Sequence, residues 1–164
     1  MEIVVNEWLL DYLRPNSEKF KRDLALKFVN TWVKNCDKVL IRRPSPFIKK
    51  FYTYMKQFES DLDFKKRFKK VNELLFYNLD KTIIIDDNEV KSLPEGIGQK
   101  DLGDDKYLIE LAYSSTDPII VTTDERLKEK LKDESDLKIY LLEEFMKKFI
   151  LSISKISPYF VEMC

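Results

Sequence analysis

Residues Gly103–Leu127 read GDDKYLIELAYSSTDPIIVTTDERL, and the order of elements in this stretch decides the fold. A helix opening at Asp104 or Asp105 places Leu108, Leu111 and Ala112 on one apolar face. Pro118–Val121 follows as a short, continuously apolar strand, and Glu125–Leu131 carries a second helical pattern. Helix, strand and helix from Asp104 to Leu131 leave no room for a hairpin. Such a strand has to lie parallel to its sheet neighbours.

The same alternation extends in both directions. Upstream, Glu2–Val5 is an apolar strand that runs into a helix over 7–12, which Pro15 closes. Ser17 is a candidate cap for a long helix with Phe20, Leu24, Phe28 and Trp32 at four-residue spacing. Val39–Ile41 is a second strand, followed by Arg42, Arg43 and Pro44. Ser45-Pro46 has the form of an N-cap and first helical residue, ahead of Phe47, Phe51, Tyr54 and Phe58. From Asp61 a further helix aligns Phe64, Phe68, Val71 and Leu75. Thr82–Ile85 is a third strand. The loop after it holds Gly96, Gly98 and Gly103, the chain's three glycines, and is expected to be the one flexible connection. Leu137–Tyr140 is a fifth strand, and a last helix runs from Leu142 toward Ile153, with a tail through Pro158. Strands separated by helices predict an α/β fold: a central parallel sheet with helices on both faces, in a single domain over residues 1–164.

Composition restricts the chemistry. The chain has 164 residues, 29 Lys plus Arg, 29 Asp plus Glu, two cysteines and no histidine. Ser-His and Cys-His nucleophile pairs, His-ligated zinc and histidine general bases are therefore excluded. Two cysteines, Cys36 and Cys164, cannot build a four-ligand metal site; Cys36 is expected as a small apolar residue near a helix end. The zero net charge conceals a split. Residues 14–70 carry 17 bases and 6 acids, whereas residues 71–164 carry 12 bases and 20 acids. This pattern suits a protein that holds a polyanion with one part and a cation with another. With no 18-residue apolar run and no secretory layout at the N-terminus, the expectation is a soluble, cytoplasmic protein with no membrane contact.

In an open parallel sheet, ligands bind beyond the carboxyl ends of the strands. The residues falling there are Asn6-Glu7, Arg42-Arg43, Asp86-Asp87 and Thr122-Thr123-Asp124, with Asp104 and Asp105 at the start of a helix on the same edge. Oxygen ligands without His or Cys suit Mg²⁺ or Mn²⁺. Singly, these acids also suit plain structural roles: Asp124 as the N-cap of the helix after it, Asp104 and Asp105 as favourable charges at a helix N-terminus. Gly96–Gly103 matches neither a dinucleotide fingerprint nor a P-loop.

The motif in 103–127 resembles the PIN-domain family, ribonucleases common as toxins of toxin–antitoxin pairs. In that family an Asp opens a helix with an apolar residue three positions on and Ala seven on, here Asp105, Leu108 and Ala112. A strand then ends in Thr-x-Asp, here Thr122-Thr123-Asp124. The resemblance implies a PIN-like domain with strand order 3-2-1-4-5 and Mg²⁺- or Mn²⁺-dependent endonucleolytic cleavage of RNA. It assigns Asp105 and Asp124 to the metal, Thr122 to the hydroxyl beside them, and Asp104 to a neighbouring acid.

Three positions depart from the family pattern. The acid expected after the first strand is Asn6, whose amide oxygen can still ligate a cation without supplying charge. The Glu expected in the helix after strand two is missing, since Ser45–Tyr52 holds Lys49 and Lys50 but no acid. An acid sometimes found two residues past Asp124 is Arg126. Glu7 or Asp11, one helical turn apart, are the candidates to compensate for Asn6. Arg42 and Arg43 are expected to clamp a phosphate, with Lys49 and Lys50 following the RNA backbone and Tyr52 and Tyr54 available for stacking. Lys65–Lys70 suits either the same use or the solvated face of its helix. The alternative function is a PIN-like domain that no longer cleaves and binds RNA or a protein partner. The aromatic helices of 45–77 are then a surface for a second copy or an antitoxin-like protein.

Overall fold

The computed structural model describes residues 1–150. Its five strands are β1 (Glu2–Val5), β2 (Lys38–Arg43), β3 (Thr82–Asp86), β4 (Ile119–Thr122) and β5 (Lys138–Leu141). They form one all-parallel sheet in the order β3-β2-β1-β4-β5. The helices are α1 (Trp8–Leu13), α2 (Lys19–Lys34), α3 (Pro46–Gln57), α4 (Leu62–Phe76), α5 (Glu95–Gly98), α6 (Lys106–Tyr113), α7 (Glu125–Lys130) and α8 (Leu142–Phe145), the last continuing as a π-helical turn over Met146–Ile150. The rest of the expected final helix and tail, with Cys164, lies outside the described residues. No helix among the described residues is long and apolar enough to cross a membrane.

Alternation along the central strands builds two cores. Ile3, Val5, Val39, Ile41, Ile119 and Val121 point to one face, where α1 to α4 and α8 cover them. Val4, Leu40 and Ile120 point to the other, against Leu108, Ile109, Leu111 and Ala112 of α6 and Leu127 of α7. Because both faces are covered, these strands are continuously apolar rather than alternating with polar residues.

Local signals place the ends of α3 and α4. Ser45 Oγ accepts from the Ile48 amide with Pro46 at the first helical position, and Asp61 Oδ1 accepts from the Phe64 amide at 2.7 Å. At α2 the outcome differs from expectation. Glu18, not Ser17, occupies the N-cap position, and Phe20 is 63 % exposed while Ala25, Phe28, Val29 and Trp32 are buried. A spacing of four residues overshoots the helical turn by about 40° each time, so a stripe begun at Phe20 rotates off the buried face. Cys36 lies just past the C-cap of α2, as expected, but on the exposed surface. The glycine segment also differs. It contains a 3₁₀ turn at Asp87–Glu89, α5 and a second 3₁₀ turn at Gly103–Asp105, and buried Ile97 and Leu102 pin it to the second core. Only Gly103 has a positive φ, +51°, which lets the chain reverse into α6.

Candidate active site

Strand order reverses at β1, whose neighbours β2 and β4 lead to opposite edges of the sheet. The chain leaving β1 and the chain leaving β4 therefore bound the crevice where ligands bind in such sheets. Pairing of Val5 with Val121 sets Asn6 level with Thr122, the next residue on each strand.

Thr122 is fully buried and acts as a hub. Its Oγ1 accepts from Asn6 Nδ2 at 3.1 Å and from the Asp124 backbone amide at 3.0 Å. Asn6 Oδ1 accepts from the Trp8 amide at 3.3 Å, and the Trp8 indole donates to the Val121 carbonyl at 2.8 Å. Asn6 is thus engaged at both ends of its amide. Asp124 Oδ1 caps α7, accepting from the Arg126 and Leu127 amides at 2.8 and 3.1 Å. Its other oxygen receives neither of these bonds. The helix-cap role and a place at the cleft are both visible in this one residue.

Two open cavities, of ≈ 760 and ≈ 750 Å³, adjoin along a ridge made by Glu7 and Pro46. The first is lined by Asn6, Asp11, Lys50, Asp124 and Arg126, among others. The second holds Lys49, Asp104 and Asp105. Asp104 is exposed and Asp105 half-buried. Asp105 occupies the N-cap position of α6 yet makes no capping bond. Burial raises its pKa above the ordinary carboxylate value, and the negative charges of Asp124, Glu7 and Asp104 raise it further. Lys130 opposes them, while its ammonium is held by the Asp101 carbonyl.

Glu7 and Asp11 have separate fates. Glu7 Oε1 accepts from the Tyr107 hydroxyl at 2.8 Å and its charge is felt at Asp105, so it belongs to the carboxylate group. Burial and the Glu7 carboxylate push the Tyr107 phenol up, keeping it a donor at all ordinary pH. Asp11 is bound instead to Lys50 Nζ at 2.7 Å and to the Tyr54 hydroxyl at 2.6 Å. Burial and this hydrogen bond hold the Tyr54 pKa up to about 12. Tyr107 escapes a reading by motif because it sits between two residues of the Asp-x-x-Leu pattern. Its position two residues past Asp105, at the first turn of a helix facing β1, was the available signal.

The two arginines are engaged elsewhere. Arg42 Nε donates to Asp87 Oδ1 at 2.7 Å and Nη1 to Glu110 Oε2 at 2.6 Å, bridging the end of β3 to α6. Arg43 forms a two-point pair with Asp86 at 2.9 and 3.1 Å, its partner across the β2–β3 register. Of the basic residues expected to meet an anion, Lys50 at one cavity and Lys49 at the other reach the cleft.

The donor set is all oxygen, and Glu7, Asp105 and Asp124 stand on three separate connections. These are the ligand types a hard divalent cation takes. Among the described residues, no group of three or more Asp, Glu or Cys side chains is disposed to hold a metal ion as it stands. The acids form a mutually repelling rim, not a closed cage. The chain matches no protein-family model, no curated protein and no solved structure.

Proposed function

We propose that this protein is a PIN-like, Mg²⁺- or Mn²⁺-dependent endoribonuclease that hydrolyses RNA phosphodiesters at the carboxyl edge of its sheet. The observation that carries the reading is the convergence of Glu7, Asp105 and Asp124 on two adjoining cavities at this edge. Burial, and after it the negative charges of Asp124, Glu7 and Asp104, raises the Asp105 pKa, and a bound cation would offset both. Glu7 replaces the charge that Asn6 lacks, while Asp104 adds a further acid at the mouth.

Glu7, Asp105 and the uncapped oxygen of Asp124 would hold the ion. When bound, it would activate water and polarise the scissile phosphate. The remaining work falls to the chain. Thr122 fixes the backbone leading to Asp124 relative to the one leaving β1. Tyr107 aims Glu7 by its hydrogen bond. Lys49 and Lys50, on the two sides of the Glu7–Pro46 ridge, would contact phosphates flanking the cleavage point, Lys50 by exchanging its Asp11 partner.

The test is cleavage of an end-labelled RNA with Mn²⁺, by the wild type and by Asp105→Asn and Asp124→Asn. Metal-dependent products that fall at least about 100-fold in both variants support the reading. Equal cleavage in chelator, or in both variants, refutes it. The second reading, a domain that binds RNA or a protein partner without cutting, is favoured by Asn6, whose amide is tied to Thr122 and Trp8. It predicts salt-dependent RNA binding with no products under any metal.

A further inference from the structure

The exposed side of α3 repeats at 49, 52, 53 and 56, a spacing that keeps all four residues on one helical face. All four are exposed, while Phe47, Phe51 and Tyr54 on the opposite side are buried. The stripe starts inside the carboxylate cleft, because Lys49 lines the same cavity as Asp104 and Asp105. It leads away from the cleft through Tyr52 to Lys56, about 10.5 Å further along the helix.

Tyr52 is an unusual surface residue. Its ring is 59 % exposed, yet it is held in place, lying at 23° and 6.1 Å from the Phe76 ring and edge-on to Phe51 at 5.6 Å. Such a ring is backed by two aromatic neighbours while most of its surface stays open to solvent. Two lysines bracket it, and among the described residues neither Lys49 nor Lys56 makes an ion pair. A fixed aromatic face between two uncompensated cations is complementary to a stacked base between two phosphates. A duplex, whose bases are already stacked inside, cannot use the ring.

We propose that this face of α3 is a track for single-stranded RNA, with Tyr52 stacking on one base and Lys49 and Lys56 contacting the phosphates on either side. RNA is named on the strength of the function proposed above; the track itself rests on the α3 geometry alone. It delivers the strand to the cleft at Lys49.

The experiment is fluorescence anisotropy with a labelled 12-nucleotide single-stranded RNA, in chelator so that neither cleavage nor metal contributes. Tyr52→Ala should weaken binding about 10-fold, within the range for loss of one stacked base. Tyr52→Phe should bind like the wild type, which separates the ring's role from any effect of the hydroxyl. The double variant Lys49→Gln/Lys56→Gln should flatten the salt dependence by a log–log slope of about 1.4, two single-strand phosphate contacts. Duplex RNA should bind equally to the wild type and to Tyr52→Ala. Undiminished single-strand binding by Tyr52→Ala, an equal loss for duplex, or no RNA binding by the wild type overturns the track. The nuclease reading fails separately: if Asp105→Asn cleaves like the wild type, that reading falls while Tyr52-dependent binding stands.

Discussion

Replacing Thr122 by Val removes a single oxygen from the centre of the rim and leaves the side-chain shape unchanged. Thr122 is fully buried, and its hydroxyl is the acceptor for Asn6 Nδ2 and for the Asp124 amide. Valine orphans both donors. Each belongs to a half-buried residue, so each loss costs about 1 kcal/mol, at the low end of the range for an unsatisfied group. The total is about 2 kcal/mol, or a fall of roughly 4–8 °C in Tm for a domain of this size. Thr122→Ser keeps the acceptor and loses one buried methyl, costing about 1 kcal/mol. Urea unfolding of both variants, of Asn6→Ala and of the double variant Thr122→Val/Asn6→Ala measures the link. If the oxygen joins the two connections, the double-mutant cycle returns a coupling of about 1 kcal/mol. A Thr122→Val protein within 0.5 kcal/mol of the wild type, or strictly additive effects, would refute the hub.

Asp105→Asn, in chelator at pH 7, should raise stability by about 0.5 kcal/mol, the scale of a solvent-screened charge interaction. The sign follows from a folded pKa above the ordinary value. Ionisation of Asp105 opposes folding, and the variant's advantage should vanish as pH falls through that raised pKa toward the unfolded value. An advantage that persists at pH 3 would contradict this origin. Arg42→Ala should cost about 1–2 kcal/mol in urea unfolding, because half-buried Glu110 loses its 2.6 Å partner and retains only Lys106 at 3.7 Å. Arg43→Ala removes a more exposed pair and should cost under about 0.5 kcal/mol; equal costs would show that burial does not separate the two pairs.

Most of the fold was legible because its signals are local or periodic. Asp61 with Phe64, Phe68, Val71 and Leu75 specifies both the start and the buried face of α4 in 15 residues. The apolar runs at Ile3–Val5, Val39–Ile41 and Ile119–Val121 could only be strands covered on both faces. Phe20 misled because a four-residue repeat drifts around a helix, and Ala25 and Val29, on the face that is buried, carry less weight in an apolar count. The glycine segment looked loose because Ile97 and Leu102 are isolated apolar residues without a period, yet both are core anchors.

At the site, position was legible and pairing was not. Arg42, Arg43, Asp86 and Asp87 all belong to the carboxyl edge by counting residues from the strands. Only the β2–β3 register decides that Arg43 faces Asp86. Likewise, Glu7 and Asp11 are equivalent in sequence, four residues apart. Tyr107 selects Glu7 for the carboxylate group, and Lys50 with Tyr54 draws Asp11 away from it. Such choices depend on contacts between residues 39 to 100 positions apart, which no local pattern encodes.

Under the proposed function, the Glu7–Asp105–Asp124 rim takes up a divalent cation. Calorimetric titration of Mn²⁺ into the metal-free protein tests it most directly, with Asp105→Asn and Asp11→Asn measured alongside. Binding should saturate at about one ion per chain, at least 10-fold weaker in Asp105→Asn and unchanged in Asp11→Asn. No saturable binding by the wild type, or equal affinity in Asp105→Asn, would contradict it.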